Sequence, residues 1–405
     1  MKQWKKCWGY VPVDFGIPLG TLENTTQKIR IKLHTDTTRL RICFTNKGHK
    51  KPMILKHVTI GKWNNDRILD IQEVFCDGKS EIKLEPKKSC LSDEIHIELR
   101  TEDEVVISAY FKEKQEVFQV CQTWSAGLWK SSYDVGDTST GEKWGEKKSL
   151  ELFLPLQEDV NPCEAETGIS GILTLVENDV KELAFFGDSI THMSFYFDFI
   201  SNTLNRKYPG MFLTQNCGIG GNRLLFDDCF VKGIPGNGKC FGKAGIKRFI
   251  EDVYKDSIPD VVFIMEGIND CTHGFSFHYN DEIPDGKQLM EGMRQIIDQA
   301  HANGSKVWIS TIMPFGCFGE PFRVQAEKIR QDFNELIRMN QEIVDGFVDL
   351  DEIVRKQENP HLMRDELHLG DGIHPNEIGG QTIGQAILET ILKKEQCKGI
   401  RNEKD

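Results

Sequence analysis

Residues 183–191 read LAFFGDSIT, a short apolar run that ends in glycine, aspartate and serine. A solid apolar run of this length is typical of a strand that is buried on both faces, as the strands of a parallel sheet are. The glycine permits a sharp turn, and Ser189 then stands at the carboxyl end of a strand, where open α/β sheets bind their ligands. This stretch therefore predicts an α/β domain with Ser189 at its functional edge.

The sequence that follows repeats this pattern, because short apolar runs alternate with amphipathic segments. The apolar runs lie at 183–186, 261–265 and 307–312, and the amphipathic segments lie at 290–303, 323–340 and 376–394. Apolar residues spaced at the helical period predict helices in the second set. Strands that alternate with helices favour a parallel sheet covered on both faces. We therefore expect a three-layer α/β domain over residues 179–397.

The sequence before about residue 178 has a different period, because apolar and polar residues alternate there. Examples lie at 29–33, 40–44 and 95–99, and turn-forming residues at 46–48 and 76–78 separate such segments. A period of two predicts strands with one buried face. Several such strands separated by turns favour an antiparallel sandwich. We expect an all-β sandwich or jelly-roll domain over residues 1–178, and a polar tail at 398–405.

The composition excludes several classes of protein. The chain has 405 residues, too many for one ordinary core and enough for two domains, and its 39% hydrophobic and 28% charged residues are typical of globular proteins. A net charge of -12 provides no basic field for nucleic acid. No segment approaches the roughly 20 apolar residues that cross a bilayer, and residues 1–20 do not resemble a signal peptide. We expect a cytoplasmic protein that binds neither nucleic acid nor membranes, in an oligomeric state that the sequence leaves open.

The far end of the chain offers a base for Ser189. A serine hydroxyl is a weak nucleophile at neutral pH and needs a positioned base, usually a histidine that a carboxylate holds in one tautomer. Residues 371–376 read DGIHPN, which places Asp371 and His374 in one tight loop before the last helix. The sequence therefore predicts Ser189 as nucleophile, His374 as general base and Asp371 as the residue that orients His374.

Two further motifs follow apolar runs and offer hydrogen-bond donors. Residues 216–223 read NCGIGGNR, which is bare enough for backbone amides to approach a ligand, and residues 266–270 read EGIND, which adds the Asn269 amide. Acyl transfer needs donors for an oxyanion, each worth on the order of 100-fold to 1000-fold in rate. Because the carboxyl ends of parallel strands meet at one edge of a sheet, we expect these motifs to converge on Ser189.

Together these segments resemble the four sequence blocks of the SGNH/GDSL hydrolase superfamily, in the same order. They are GDSI with Ser189, GIGG with Gly221, GIND with Asn269, and DGIH with Asp371 and His374. The resemblance spans the C-terminal half and implies a flavodoxin-like sheet. It also implies an oxyanion hole formed by the Ser189 and Gly221 amides and the Asn269 side chain, with no metal and no other cofactor.

The N-terminal half is similar to the β-sandwich that precedes the hydrolase domain in a branch of bacterial GDSL esterases with xylan-esterase-like members. The similar pieces lie at 40–48, 53–55, 58–60 and 131–133, with another at 313–316. This resemblance implies a serine esterase for small carboxylic esters, above all O-acetyl groups on carbohydrates, with a small-molecule or oligosaccharide ester as its partner. Polar residues beside the motifs, Asn222, Arg223 and Thr272, favour a small polar pocket and therefore short acyl groups.

Two other functions fit parts of the sequence. The same four motifs would serve a lipase, a lysophospholipase or an acyltransferase that acts on longer acyl chains, although no apolar lid is visible. An inactive carbohydrate-binding protein could share the fold, although it would not need Ser189, Asn269, Asp371 and His374 together.

One aromatic segment has two interpretations. Residues 122–147 contain Trp124, Trp129, Tyr133 and Trp144, which could stack on a sugar ring or fill the interface between the two domains.

Acidic residues and histidines near the motifs also have a structural interpretation. Asp188 and Asp270 are central and acidic, and we expect both to hold loops by accepting backbone hydrogen bonds. The nearby histidines lack metal-binding spacing and are interpreted as exposed or loop residues: His192, His273, His278 and His368.

Overall fold

The structure is a computed structural model that describes residues 2–48, 50–145, 163–316 and 322–396. Antiparallel strands make up most of the described chain up to residue 177, and parallel strands with helices follow, which confirms the predicted mixed fold class. The polar tail expected at 398–405 lies outside the described residues. The division at residue 178 stays a prediction, although it falls between the last antiparallel strand and the first parallel one.

The N-terminal half is a set of antiparallel strands. They are β1 (Lys2–Gly9), β2 (Val13–Asp14), β3 (Gly20–Leu22), β4 (Thr25–Lys32), β5 (Thr37–Thr45), β6 (Met53–Leu55), β7 (His57–Asn64), β8 (Arg67–Glu73), β9 (Ile82–Leu84), β10 (Ser89–Leu91), β11 (Ile95–Leu99), β12 (Glu104–Phe111), β13 (Gln115–Val117), β14 (Gln119–Thr123), β15 (Trp129–Val135), β16 (Glu164–Glu166) and β17 (Ile169–Glu177). One main sheet has the order β1, β17, β5, β10, with β11 also on β5, and the other has the order β15, β4, β12, β7, β8. Both sheets contribute to one apolar core.

The C-terminal half is a parallel sheet with helices. Its strands are β18 (Lys181–Gly187), β19 (Phe212–Gly218), β20 (Val261–Met265), β21 (Lys306–Ser310) and β22 (Gly346–Val348). Its helices are α1 (Ser189–His192), α2 (Phe195–Lys207), α3 (Gly245–Tyr254), α4 (Ile268–Ser276), α5 (Gly286–Ala302), α6 (Phe322–Met339), α7 (Leu350–Val354) and α8 (Glu377–Gln396). Single 3₁₀ turns lie at Asn280–Glu282, Gln341–Ile343 and Asp365–Leu367, and a longer 3₁₀ segment at Pro235–Phe241 is kinked at residues 236–238.

The order of the parallel strands places the motif segments side by side. The sheet runs β19, β18, β20, β21, β22, which is the flavodoxin-like order, and α2 packs against α8 while α5 contacts both α3 and α6. Gly187 at the end of β18 is level with Gly218 of β19 and Met265 of β20. The loops that follow these three strands therefore leave the sheet at one edge.

The strand β1 joins the sandwich to the parallel sheet. The Lys6 amide donates to the buried Glu182 carboxylate at 2.9 Å, and the Lys6 ammonium lies 3.2 Å from Asp256. Lys5 forms an ion pair with Asp260 in the same region. Because Glu182 lies near the start of β18, the sandwich holds the strand that leads to Ser189.

An aromatic cluster fills the contact between the halves. The Tyr10 ring centroid lies 5.5 Å from that of Trp8, 5.6 Å from that of Trp129 and 6.0 Å from that of Phe197. Phe197 belongs to α2, and Trp129 is 2% exposed. For Trp129, the structure therefore favours the interpretation that the aromatic segment fills the interface.

Replacement of Trp129 tests the strength of this contact. Trp129→Ala removes a buried ring and should lower the free energy of unfolding by about 3–5 kcal/mol, the usual cost of such a truncation. Urea denaturation followed by circular dichroism measures the change. The matched control is Trp63→Ala, because Trp63 is partly exposed on the sandwich. Equal losses in the two variants would show that the cluster does not hold the halves together.

Candidate active site

A tight turn presents Ser189 at the edge of the parallel sheet. An added Cβ on Gly187 would lie 2.3 Å from a backbone oxygen of β20, so the turn requires glycine. The Asp188 carboxylate accepts a 3.0 Å hydrogen bond from the Ile190 amide and caps α1. Within the described segment 182–194, only Ser189 is partly exposed. The turn therefore buries the neighbours of Ser189 and leaves Ser189 itself partly exposed.

The structure brings Ser189, His374 and Asp371 into contact. Oγ of Ser189 lies 2.7 Å from Nε2 of His374, and Nδ1 of His374 lies 2.6 Å from Oδ2 of Asp371. Oδ1 of Asp371 accepts 2.9 Å hydrogen bonds from the amides of Ile373 and His374. Burial opposes the charge of this carboxyl group, but the His374 contact and the two amides outweigh it and hold the pKa of Asp371 at about 2. Asp371 is therefore an anion that can hold the imidazole in one tautomer.

Gly221 and Asn269 follow the two strands that flank β18. The Asn269 amide donates one N–H to the Asn222 carbonyl at 2.8 Å, which leaves a second N–H on the same nitrogen. Gly221 has a φ of 72°, and an added Cβ would lie 2.1 Å from the Phe241 ring, so both conformation and contact require glycine. Gly221 and Asn269 are partly exposed, whereas Asn222 is buried. Both motifs therefore offer donors on the same edge as Ser189.

The family of the C-terminal half follows from a match over these segments. Residues 185–381 match the model of the GDSL-like Lipase/Acylhydrolase family. The C-terminal half is a GDSL-like lipase/acylhydrolase domain. With the contacts of Ser189, this match identifies the protein as a carboxylic ester hydrolase. No curated protein matches the chain.

Several solved structures are similar to the chain at low identity. A GDSL-like lipase from Bacteroides thetaiotaomicron is 19% identical, with 53% of this chain and 88% of that chain covered and a TM-score of 0.39. A variant of an acetyl xylan esterase from Geobacillus stearothermophilus is 19% identical, with 55% of this chain and 97% of that chain covered and a TM-score of 0.39.

One arginine that the sequence analysis missed joins three motif segments of the GDSL domain. Arg248 on α3 donates to the carbonyls of Gly187 and Cys217 at 2.9 Å each and to the Asn222 side chain at 2.7 Å. The same guanidinium lies 3.5 Å from the Glu266 carboxylate. Arg248 is buried, yet nothing in its local sequence distinguishes it from an exposed helix residue.

Three carboxyl groups are buried beneath the motif loops of the GDSL domain. Burial raises the pKa of Asp188 to about 7 and that of Asp270 to about 6, and it raises the pKa of Glu266 well above its usual range. Asp270 accepts hydrogen bonds from the Leu224 and Leu225 amides at 2.6 and 2.9 Å. Asp188 and Asp270 therefore support backbone turns, as expected from the sequence.

The expectation of exposed or loop histidines near the motifs is wrong for His192 in α1 and His273 in α4, which are both buried. Nδ1 of His192 accepts a 3.1 Å hydrogen bond from the Gly220 amide, and burial lowers the pKa of His192 to about 4. Burial lowers the pKa of His273 to about 3, while His278 is exposed. Among the described residues, no three His, Cys, Asp or Glu side chains form a group that could hold a metal ion.

The prediction that polar side chains line the acyl pocket is wrong. Asn222, Arg223 and Thr272 are all buried. Arg223 pairs with Glu282 at 2.7 Å, and the Thr272 hydroxyl donates to the Ile268 carbonyl at 3.1 Å. These polar groups are bound within the GDSL domain because a buried polar group needs a partner, so they do not face a substrate.

Trp124 of the N-terminal half contacts α1, the helix that begins at Ser189. Its ring lies edge-to-face against His192, with centroids 5.2 Å apart, and its amide donates to the Met193 carbonyl at 3.3 Å. Trp124 is partly exposed, so its free surface is available beside α1. Trp144 instead lies over Arg30, 5.5 Å from ring centroid to guanidinium carbon, on the sandwich.

The sequence predicts that no segment of the chain crosses a membrane, and the helices of the structure can be compared with that prediction. In the part of the chain that the structure describes, no helix is both long and apolar enough to cross a membrane.

Replacement of Arg248 tests whether it holds the motif segments in place. Arg248→Met removes the buried guanidinium that pairs with Asp252 at 3.1 Å and donates to the carbonyls of Gly187 and Cys217, while Lys47 stays 3.8 Å from Asp252. The free energy of unfolding should fall by about 3–5 kcal/mol in urea, the usual cost of breaking a buried pair. The control is Lys247→Met on the same helix, where the exposed pair with Asp227 should cost at most about 1 kcal/mol. Similar losses would contradict the assigned role of Arg248.

Proposed function

We propose that this esterase cleaves small carboxylic esters, above all O-acetyl groups on carbohydrates, through an acyl-enzyme intermediate on Ser189. The observation that carries the proposal is the 2.7 Å distance between Oγ of Ser189 and Nε2 of His374. This contact lets the imidazole accept the hydroxyl proton as the serine attacks. Its partner Asp371 stabilises the imidazolium that forms.

Each step of the proposed reaction uses groups of this site. Oγ of Ser189 bonds to the ester carbonyl carbon while His374 takes its proton, and the carbonyl oxygen becomes an oxyanion. The Ser189 and Gly221 amides and the free N–H of Asn269 donate to that oxyanion. The intermediate then collapses, the C–O bond to the alcohol breaks, and His374 protonates the departing alcohol. Water, deprotonated by His374, attacks the acyl-enzyme in the same manner and releases the acid.

One observation supports a sugar as the alcohol part of the ester. Trp124 places a partly exposed indole beside α1, and aromatic faces pack well against sugar rings. No cofactor takes part in the proposed reaction.

Substitutions of Ser189, His374 and Asp371 test the assignment of Ser189 as the nucleophile. Ser189→Ala should abolish hydrolysis of nitrophenyl acetate almost completely, because no other group takes the acyl chain. His374→Ala should be about as damaging, and Asp371→Asn less so. Initial rates at neutral pH measure the losses, with thermal unfolding as a check on the fold.

The outcomes separate the alternatives. A Ser189→Ala variant that retains more than a few per cent of activity excludes this nucleophile. Wild-type protein that hydrolyses no ester favours an inactive binding protein.

A series of acyl chain lengths tests the substrate class. Acetyl esters should exceed butyryl esters by at least about 10-fold in kcat/KM, because each methylene without room costs roughly 1–3 kcal/mol. Nitrophenyl esters from acetyl to octanoyl, assayed beside acetylated xylo- and manno-oligosaccharides, measure this preference. If octanoyl esters are the best substrates, the lipase-like alternative replaces the carbohydrate deacetylase.

A further inference from the structure

The loop that carries Asp371 and His374 is closed on itself. A β-bridge pairs His368 with Pro375, and the Leu369 amide donates to the His374 carbonyl at 2.9 Å. The chain between these ends must therefore turn within a few residues. Two glycines with left-handed backbone make the turn, Gly370 with a φ of 103° and Gly372 with a φ of 76°.

Two side chains inside this loop accept its inward-pointing amides. Oδ1 of Asp371 accepts from Ile373 and His374, as described above. Nδ1 of His368 accepts from the amides of Gly370 and Gly372, at 3.0 and 3.1 Å. These two glycines are the residues immediately before and after Asp371, so the His368 ring holds the peptide units on both sides of that carboxylate.

The amides of Gly370 and Gly372 define the tautomer of the His368 ring. Backbone N–H groups can only donate, so Nδ1 must accept and the ring proton resides on Nε2. Nε2 lies 3.8 Å from the Asp365 carboxylate, and the His368 side chain is only 12% exposed. The ring is thus a rigid acceptor with one lone pair directed at the loop.

We propose that His368 is a positioning residue that sets the orientation of Asp371 and, through it, the tautomer of His374. Asp371 and His374 meet over 2.6 Å, and contacts this short tolerate little rotation of the carboxylate. Loss of the acceptor frees the peptide units that flank Asp371, and its carboxylate then samples orientations that do not reach Nδ1. This inference rests on the proposed catalytic role of His374.

Three substitutions at one position separate the acceptor from the bulk of the ring. In His368→Asn, the amide oxygen takes a place close to that of Nδ1. In His368→Gln, the same oxygen is displaced toward the position of Nε2, and His368→Leu has no acceptor. The matched control is His96→Asn on the sandwich, where the side chain is 71% exposed.

Two measurements are made on the full-length protein. Nitrogen-15 spectra of labelled histidine report the tautomer of His374, whose signals are assigned by their loss in His374→Gln. Steady-state hydrolysis of nitrophenyl acetate gives kcat and KM, and thermal unfolding shows that each variant is folded.

We expect His368→Asn and His96→Asn to keep the Nδ1–H tautomer of His374 and to stay within about 3-fold of the wild-type kcat. His368→Gln and His368→Leu should show mixed tautomers and lose about 10-fold to 100-fold in kcat, with KM changed less than about 3-fold, because small misplacements of a catalytic group cost this much.

The proposal is overturned if His368→Leu keeps the wild-type His374 spectrum, or if His368→Asn loses as much as His368→Leu. Failure of the proposed function gives a different result. Wild-type protein would then hydrolyse no ester, while the nitrogen-15 series would still report whether His368 sets the His374 tautomer.

Discussion

The guanidinium of Arg248 is the contact on which the geometry of the site depends. Buried carbonyl groups at strand ends need hydrogen-bond donors, and Arg248 supplies them to Gly187 of β18 and Cys217 of β19 while also binding Asn222 in the following loop. A guanidinium is planar and rigid, so these contacts cannot change independently. The nucleophile turn and the glycine-rich loop therefore keep a fixed relative position.

The ionisation of the acidic residues around Arg248 decides how strongly they repel an oxyanion at the site. Asp188, Glu266 and Asp270 would together carry three negative charges against the two buried arginines Arg248 and Arg223 if all were ionised. Burial raises the pKa of each, to about 7 for Asp188 and about 6 for Asp270, so the group is partly neutral near pH 7. Neutral carboxyl groups do not repel a nearby oxyanion, which suits the proposed reaction.

The sandwich supports both ends of the segment that presents Ser189. At the start of β18, the Lys6 amide binds the Glu182 carboxylate. At the end of α1, Trp124 packs on His192, which in turn accepts the amide of Gly220 beside the proposed oxyanion hole. The N-terminal half therefore contributes to the position of the nucleophile as well as to the surface beside it.

The sequence by itself determined the fold class, because strand and helix periods and the glycine turn before Ser189 are local features. The four motifs likewise indicated which strand ends would meet, since parallel strands share one edge. Only the tertiary structure decided that Arg248 and His368 bind backbone groups of the motif segments and that Asn222, Arg223 and Thr272 are buried. The physical reason is that burial and hydrogen-bond partners depend on which distant segments pack together. A short stretch of sequence does not specify those tertiary contacts.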